Sequence, residues 1–226
     1  MSVAYDYCIE NEVLTKVNTM NDLGLTIDSK INFNAHVDKI VNNGHSHRIL
    51  GFKKRRTKEF KDPYVTKALY CSIVRPTLEY ASVVWNSIGY TASARIESIQ
   101  KQFLLFALRD LGWNNNTYAL PSYIARLKLI NLETLEARRN MYDIMLAFDL
   151  LKQNIKSEDL CRKIKINSPT SYAIRRRNYL QVPFHSNNYT FKEPLTRVTR
   201  AFNSIADIYD TRISRSVFKR RLKNRL

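Results

Sequence analysis

The side chains of this chain that are best suited to chemistry are cations, and they are concentrated in three basic segments. Lysine and arginine neutralise phosphate groups, and each neutralised phosphate releases condensed counterions. We therefore predict that these segments bind a nucleic-acid backbone without reading a base sequence. The sequence equally allows each segment to be a solvated surface or a short localisation signal. The predicted nucleic-acid-binding residues are Lys53, Lys54, Arg55, Arg56, Lys58, Arg175, Arg176, Arg177, Arg220 and Arg221.

The overall charge indicates the same class of partner. The 226 residues include 37 Lys and Arg against 20 Asp and Glu, which gives a net charge of +17. Such an excess favours RNA, DNA or an RNA–DNA hybrid first, and an anionic membrane surface second. The amino terminus lacks a basic region followed by an apolar stretch, and no apolar run of about 18 residues occurs. We therefore predict an intracellular protein, nuclear or cytoplasmic, without a membrane span.

Motifs for catalysis are absent from the sequence. Nucleotidyl transfer uses acidic residues that hold two divalent ions, and the chain contains no Asp-Asp dipeptide. It also contains no GxSxG, P-loop or HExxH motif. Cys8, Cys71 and Cys161 form no CxxC pair, and His45 and His47 lack nearby partner cysteines. We predict no catalytic residue, no metal and no cofactor, and therefore no enzymatic activity of the chain alone.

The elements that must position the basic segments are predicted to be mainly helices. Five glycines and six prolines in the whole chain are too few for a many-turned all-β fold. Alternating residues of 11–19 and 22–28, with Asn21 and Asp22 between them, predict a short β-hairpin before a helical bundle. A smaller α-rich carboxy-terminal region is expected to contain short extended segments at 179–182 and 189–191. The corresponding predicted domains are residues 1–31, 32–155 and 156–226.

Capping residues and apolar spacing locate the predicted helices. Gly44 is expected to weaken the first of them. The long helix after Asn131 is expected to bury Leu135, Tyr142, Met145, Leu146 and Phe148. The predicted helix starts are, in chain order, Asn32 or Asn34, Pro63, Thr91 or Ser93, Tyr123, Asn131, and positions 195 and 213.

The run from Leu69 to Trp85 is predicted to be an amphipathic helix that a proline interrupts. Pro76 lacks the amide hydrogen that a helix interior needs, so the helix should kink or restart there. The side predicted to be buried consists of Leu69, Ile73, Leu78, Tyr80, Val84 and Trp85.

The same run resembles a signature found downstream of the polymerase core in reverse transcriptases of non-LTR retrotransposons of the LINE-like, jockey type. Shorter matches follow the family's order between about residues 20 and 224. They include Leu23–Asp28, Ile96–Leu104, Leu129–Arg139 and Phe202–Ile205. The matching positions of the run itself are Tyr70, Arg75, Pro76, Leu78, Glu79, Tyr80 and Trp85.

This resemblance implies both an architecture and a role. Leu23 and Gly24 look like the turn of the primer grip, the hairpin that holds the end of the growing strand. Residues 32–110 resemble the thumb, which follows template and primer through their phosphates. Lys53, Lys54, Arg55 and Arg56 would then lie on or beside that groove. The chain would then be the thumb and post-polymerase region of an RNA-directed DNA polymerase, without the catalytic palm.

Three interpretations remain open at this point. The leading one is a non-catalytic fragment that binds nucleic acid through backbone phosphates. In the second, the chain acts as a subunit together with a reverse transcriptase palm that is supplied separately. In the third, it is a structural or protein-interaction remnant of the element. The sequence does not distinguish a selected function from a relic.

Overall fold

A computed structural model shows a mainly helical protein that begins with short antiparallel hairpins, which confirms the predicted fold class. The residues that the structure describes are 7–10, 12–48, 62–109, 121–167, 178–183 and 193–225.

The amino-terminal strands form two short hairpins. In the first, β1 (Cys8–Ile9) pairs with β2 (Glu12–Val13). In the second, β3 (Thr19–Asp22) pairs with β4 (Leu25–Asp28). The second hairpin carries the contacts to the helices, since Leu25 of β4 is part of the buried core.

The turn of the second hairpin consists of Leu23 and Gly24 alone, because Asp22 lies directly opposite Leu25. Both turn residues have positive φ angles, 44° and 85°. A two-residue turn with this geometry matches the twist of the paired strands. The prediction that placed Asn21 and Asp22 between the strands was wrong, because both residues belong to β3.

The first helix, α1 (Asn34–Arg48), starts directly after the second hairpin. The side chain of Asn32 accepts a hydrogen bond from the backbone N–H of Asn34 at 2.9 Å, so Asn32 is the cap of the two candidates. Gly44 allows a close approach rather than merely weakening the helix, since a Cβ there would lie 3.0 Å from Leu78 Cδ2. The buried side of α1 includes Val37, Ile40 and Val41.

The next helical segment begins where Asp62 and Pro63 predicted it. Asp62 caps α2 (Pro63–Leu69) by accepting a hydrogen bond from the N–H of Tyr64 at 2.8 Å. The segment continues as a π-helical turn (Tyr70–Val74) and then as α3 (Arg75–Glu79).

The π-helical turn explains how the segment tolerates Pro76. The N–H of Arg75 bonds to the carbonyl of Tyr70, five residues earlier. This wider turn relieves the clash and the missing hydrogen bond that a proline imposes on a regular α-helix. The helix therefore continues through Pro76 and ends at Tyr80. Ala81 then adopts a left-handed conformation with φ of 49°, and the helix α4 (Ser82–Trp85) follows.

The π-helical turn also shifts the buried side of this segment. Tyr70, Val74 and Leu78, spaced four residues apart, are fully buried. Leu78 and Trp85 were correctly predicted to be buried. The predicted burial of three other residues was wrong; the exposed fractions are 47% for Ile73, 57% for Tyr80 and 39% for Val84, and Leu69 is partly buried. Ile73 lies within the π-helical turn, whereas Tyr80 ends α3 in an extended conformation and the left-handed Ala81 separates Val84 from that helix.

Two longer helices complete the first half of the core. These are α5 (Tyr90–Arg109) and α7 (Leu135–Leu151), with the short α6 (Tyr123–Ile130) between them. Asn131 does not cap α7 as predicted; with φ of 54° it ends α6 in the left-handed conformation that suits a helix carboxy terminus. Thr134 caps α7 instead, accepting a hydrogen bond from an N–H three residues later at 3.1 Å.

The carboxy-terminal region contributes three more α-helices and a 3₁₀ turn (Ala206–Ile208) to the described part of the chain. The α-helices are α8 (Glu158–Lys163), α9 (Pro194–Asn203) and α10 (Arg215–Arg225). Leu180 forms an isolated antiparallel bridge with Ile166. Residues 189–191, the other predicted extended segment, lie outside the described residues.

Two clusters of buried apolar side chains hold the elements together, and they meet in α7. The first cluster joins β4, α1, the α2–α4 segment, α5 and α6, and it includes Leu135. The second packs Met141 to Phe148 of α7 against Val198 and Phe202 of α9 and against Phe218 and Leu222 of α10. The division into domains at 31 and 155 stays a prediction.

Candidate nucleic-acid interface

The helix α10 displays one of the three basic segments. Phe218 and Leu222, four residues apart, are fully buried, and the Phe218 ring stacks on Phe148 of α7 with centroids 4.5 Å apart. This anchoring leaves the remaining sides of the helix in solvent. Every charged residue of α10 is a cation, and Lys219, Arg220 and Arg221 are all exposed.

The cations of α10 differ in how far neighbouring groups satisfy them. The Nζ of Lys223 lies 3.6 Å from a Glu133 carboxylate oxygen, and Arg225 lies 3.3 Å from Asp207. Arg221 donates to a backbone carbonyl at 3.4 Å. Within the described part of the chain, no side chain pairs with Lys219 or Arg220. These two cations are therefore available to an external anion.

Other predicted contact residues cannot be placed on this surface. Lys53, Lys54, Arg55, Arg56, Lys58, Arg175, Arg176 and Arg177 lie outside the described residues. Of the predicted nucleic-acid-binding residues, the structure therefore locates Arg220 and Arg221.

The predicted primer-grip turn lies against the α2–α4 segment. Leu23 projects from its tip and is 82% exposed. The hydroxyl of Tyr80 donates a hydrogen bond to the Leu23 carbonyl oxygen at 3.0 Å, and a Cβ on Gly24 would lie 3.5 Å from the Tyr80 ring. Two parts of the retrotransposon-like pattern that are 57 residues apart are thus in direct contact.

A groove of about 570 Å³ lies between the α2–α4 segment and α7. Arg75, Pro76, Glu79 and Tyr80, singled out in the sequence as parts of the family-like run, line one wall. Arg215 of α10 lies at the groove as well, so the cationic helix and the groove are continuous. Its other lining residues include Val83, Arg138, Tyr142, Met145, Leu146 and Asp149.

A hydrogen-bonded triad of charged and phenolic groups forms part of the groove wall. Arg138 donates from two nitrogens to the Glu79 carboxylate, and Tyr142 donates to the same carboxylate at 3.0 Å. Burial would lower the pKa of Arg138, but the hydrogen bond and charge of Glu79 raise it above its usual value. The Glu79 carboxylate is thus paired with a cation inside the wall.

Arg75 is the exception among the groove's arginines. Its side chain is half-buried, and no described residue accepts a hydrogen bond from its guanidinium. Burial and the Glu79 carboxylate raise the pKa of Tyr142, and the positive charges of Arg138 and then Arg75 oppose that rise. Arg75 therefore lies close enough to the groove wall to act on the Tyr142 hydroxyl, although no described residue accepts a hydrogen bond from its guanidinium.

Arg215 is only partly neutralised by its partner. Its Nε donates to both carboxylate oxygens of Asp149, at 2.8 and 3.0 Å. Burial is slight for this side chain, which is 57% exposed. Since only Nε is engaged with Asp149, the two terminal nitrogens of Arg215 retain free donors at this partly exposed position beside the groove.

Sequence reasoning missed these groove residues for an identifiable reason. Glu79 and Arg138 are 59 residues apart, and only the packing of α3 against α7 brings them together. Arg75 was named in the family-like run but not among the predicted nucleic-acid-binding residues, although an arginine beside a helix-interrupting proline was the available signal.

Metal sites and membrane spans are also relevant to function. Among the residues that the structure describes, no group of three or more His, Cys, Asp and Glu side chains is arranged to hold a metal ion. No helix in the described ranges combines the length and apolar character needed to cross a bilayer.

Comparison with known proteins adds no relative. No protein-family model, curated protein or solved structure matches the chain. The resemblance to non-LTR reverse transcriptases stays a prediction from the residues quoted above.

Proposed function

We propose that this chain binds nucleic acid through backbone phosphates, as a non-catalytic thumb-like and carboxy-terminal part of a retrotransposon RNA-directed DNA polymerase. The observation that carries the proposal is α10, a solvent-exposed helix whose charged residues are all cations. Mutual repulsion among these cations is relieved when phosphates lie beside them. The chain's net charge of +17 supports the same partner.

The test measures binding of a labelled RNA–DNA hybrid by fluorescence anisotropy at several salt concentrations. We expect the double variant Lys219→Ala/Arg220→Ala to bind more weakly than the parent. If each residue contacts one phosphate, the slope of log K against log salt should fall by about 1.8 in total, or about 0.9 per contact.

A matched control removes the same charge elsewhere. Lys163 and Lys165 are exposed and lie on and just after α8, so Lys163→Ala/Lys165→Ala also lowers the net charge by two. This variant should retain the parental salt slope. Equal losses in both double variants would show a non-specific charge effect, and the proposed role of α10 would be wrong.

The same assay also tests the first basic segment predicted from the sequence. Changing Lys53, Lys54, Arg55 and Arg56 to alanine should weaken binding if these residues lie at the thumb groove. The sequence lacks the Asp-Asp pair, so we expect no primer extension by the chain alone. Measurable extension would contradict the non-catalytic part of the proposal.

A second candidate function is supported by a different surface. The two hairpins expose a set of apolar side chains, and their exposed fractions range from 50% at Leu14 to 82% at Leu23. Such a patch suits a protein partner, and a separately supplied palm is the partner that the resemblance implies. Nucleic-acid binding that is absent at low salt would favour this candidate over the first. The exposed set is Tyr7, Ile9, Val13, Leu14, Val17, Met20 and Leu23.

A further inference from the structure

We propose that the groove between the α2–α4 segment and α7 holds one unpaired nucleotide of a single strand, with its phosphate on Arg75 and its base on the apolar side chains. This inference rests on the proposed nucleic-acid binding and assigns a specific site within it. A volume of about 570 Å³ is within the usual range of about 300–1,000 Å³ for small-molecule sites.

The phosphate position follows from which charged side chains of the groove already have hydrogen-bonded partners. Glu79 is satisfied by Arg138 and Tyr142, and Asp149 by Arg215. Arg75 remains as a half-buried guanidinium with no hydrogen-bonded partner among the described residues. A planar guanidinium is suited to bind phosphate through two parallel hydrogen bonds.

The backbone conformation around Arg75 also sets it apart from a residue in a regular helix. Arg75 is the residue whose N–H closes the π-helical turn, and Pro76 follows it directly. Such turns are found frequently at functional sites, because they displace one residue from the regular helix surface.

The base position follows from the apolar part of the groove. Val83, Met145 and Leu146 line it beside the charged groups. A base meets such side chains only when it is not paired and stacked in a duplex. The terminal nitrogens of Arg215 provide a position for a neighbouring phosphate, and Arg215 connects the groove to the cations of α10.

The test uses labelled oligothymidylate, oligouridylate and a duplex of the same length with the full chain. We expect Arg75→Gln to weaken binding of both single strands about five- to tenfold and to lower their salt slope by about 0.7, the loss of one contact. Duplex binding should change less than twofold. Lys163→Gln removes one exposed charge on α8 and should leave all three affinities unchanged.

A pair of variants at Pro76 separates charge from shape. Pro76 is exposed and lines the groove beside Arg75, so Pro76→Glu supplies an internal carboxylate that competes with phosphate. Pro76→Gln has the same size without the charge. We expect Pro76→Glu to weaken single-strand binding more than tenfold relative to Pro76→Gln, with thermal midpoints that differ by less than about 2 °C.

The outcomes distinguish the two levels of the proposal. If the parent binds none of the probes at low salt, the proposed function itself is wrong. If the parent binds and Lys219→Ala/Arg220→Ala weakens binding, but Arg75→Gln and Pro76→Glu do not, the function stands and the nucleotide site is overturned. If these two variants weaken binding of oligouridylate only, the groove is a site for RNA. If they weaken binding of both single strands, the groove accepts either nucleic acid.

Discussion

The hydroxyl of Tyr80 donates a hydrogen bond to the backbone carbonyl oxygen of Leu23 across 3.0 Å. Tyr80 is itself held in place, because its own carbonyl accepts a hydrogen bond from Trp85 Nε1 at 2.7 Å. Trp85 is fully buried. The tip of the second hairpin is therefore fixed to the helical core through one phenol at the point where the α2–α4 segment breaks.

Removing the Tyr80 hydroxyl should loosen the hairpin. We expect Tyr80→Phe to lower the free energy of unfolding by about 0.5–1.5 kcal/mol, in the lower half of that range because the pair is exposed. Urea unfolding measures the change. Tyr90 is 88% exposed and has no hydrogen bond from its hydroxyl to a described residue, so Tyr90→Phe is the control and should have no effect. Equal stability of the two variants would show that the Leu23 contact does not stabilise the protein.

The stability of the turn formed by Leu23 and Gly24 should be sensitive to a single methyl group added at Gly24. Gly24 has φ of 85°, a conformation that costs an L-residue about 1–2 kcal/mol. We therefore expect Gly24→Ala to lower the free energy of unfolding by about that amount. Gly89 has no atom within 4 Å of a built Cβ, so Gly89→Ala should change stability by less than about 0.5 kcal/mol. A Gly24→Ala variant as stable as Gly89→Ala would contradict the turn geometry.

The parts of the fold that could be predicted from the sequence are those determined by residues close together along the chain. Asp62 and Pro63 mark the start of α2 because an extended cap residue and a proline in the first turn are local requirements. The apolar spacing of α5 likewise identifies a buried side made of Ile96, Ile99, Phe103 and Phe106; the first three are buried and Phe106 is partly buried. The mainly α fold follows from such local signals.

Features that depend on packing could not be predicted in this way. A helical period applied to Leu69–Trp85 fails because the π-helical turn adds a residue to one turn, and because the left-handed Ala81 separates α3 from α4. Arg139 and Asp143 interrupt the apolar pattern of α7, yet both are 1% exposed. The hydrogen-bond partners of Arg139 are Asn86 and Ser93, which lie outside α7. A linear pattern contains no information about these pairings.

Two ion pairs of similar length should differ strongly in their contribution to stability. Arg197 of α9 donates to both oxygens of Asp143, at 2.9 and 3.2 Å, and to the Val83 carbonyl. The Asp143 side chain is 1% exposed, so Asp143→Asn leaves a guanidinium without its counter-charge and should cost about 3–5 kcal/mol.

The comparison pair is Arg95 and Asp38, whose atoms are only 2.6 Å apart but whose side chains are about half exposed. Solvent screens this pair, so Asp38→Asn should cost about 0.2–1 kcal/mol. Urea unfolding of both variants measures the difference. A smaller effect at Asp143 than at Asp38 would mean that α9 is not held to α7 by this contact.

Stability should also depend on the protonation of one buried histidine. His36 is 2% exposed, and its Nδ1 accepts a hydrogen bond from the N–H of Thr26 in β4 at 3.3 Å. Its ring packs on Trp85 with centroids 5.5 Å apart. Burial, and then the positive charge of Lys39, lower the pKa of His36 below its usual value of 6.5.

The sign of the pH effect follows from this direction. The unfolded chain binds a proton at His36 near pH 6.5, whereas the folded chain binds it only at lower pH. The free energy of unfolding contributed by neutral His36 is therefore fully present above pH 6.5 and is lost as the pH falls towards the folded-state pKa. Urea midpoints between about pH 7.5 and 5.5 should decrease in the parent.

Two variants identify the group responsible. In His36→Gln the side-chain oxygen can still accept from Thr26 but does not titrate, so the decrease between about pH 7.5 and 5.5 should become smaller. Lys39→Gln removes the charge that lowers the His36 pKa, so the same decrease should shrink without disappearing. If His36→Gln keeps the full parental pH dependence, another group causes it, and the hairpin's attachment to α1 is insensitive to His36 protonation.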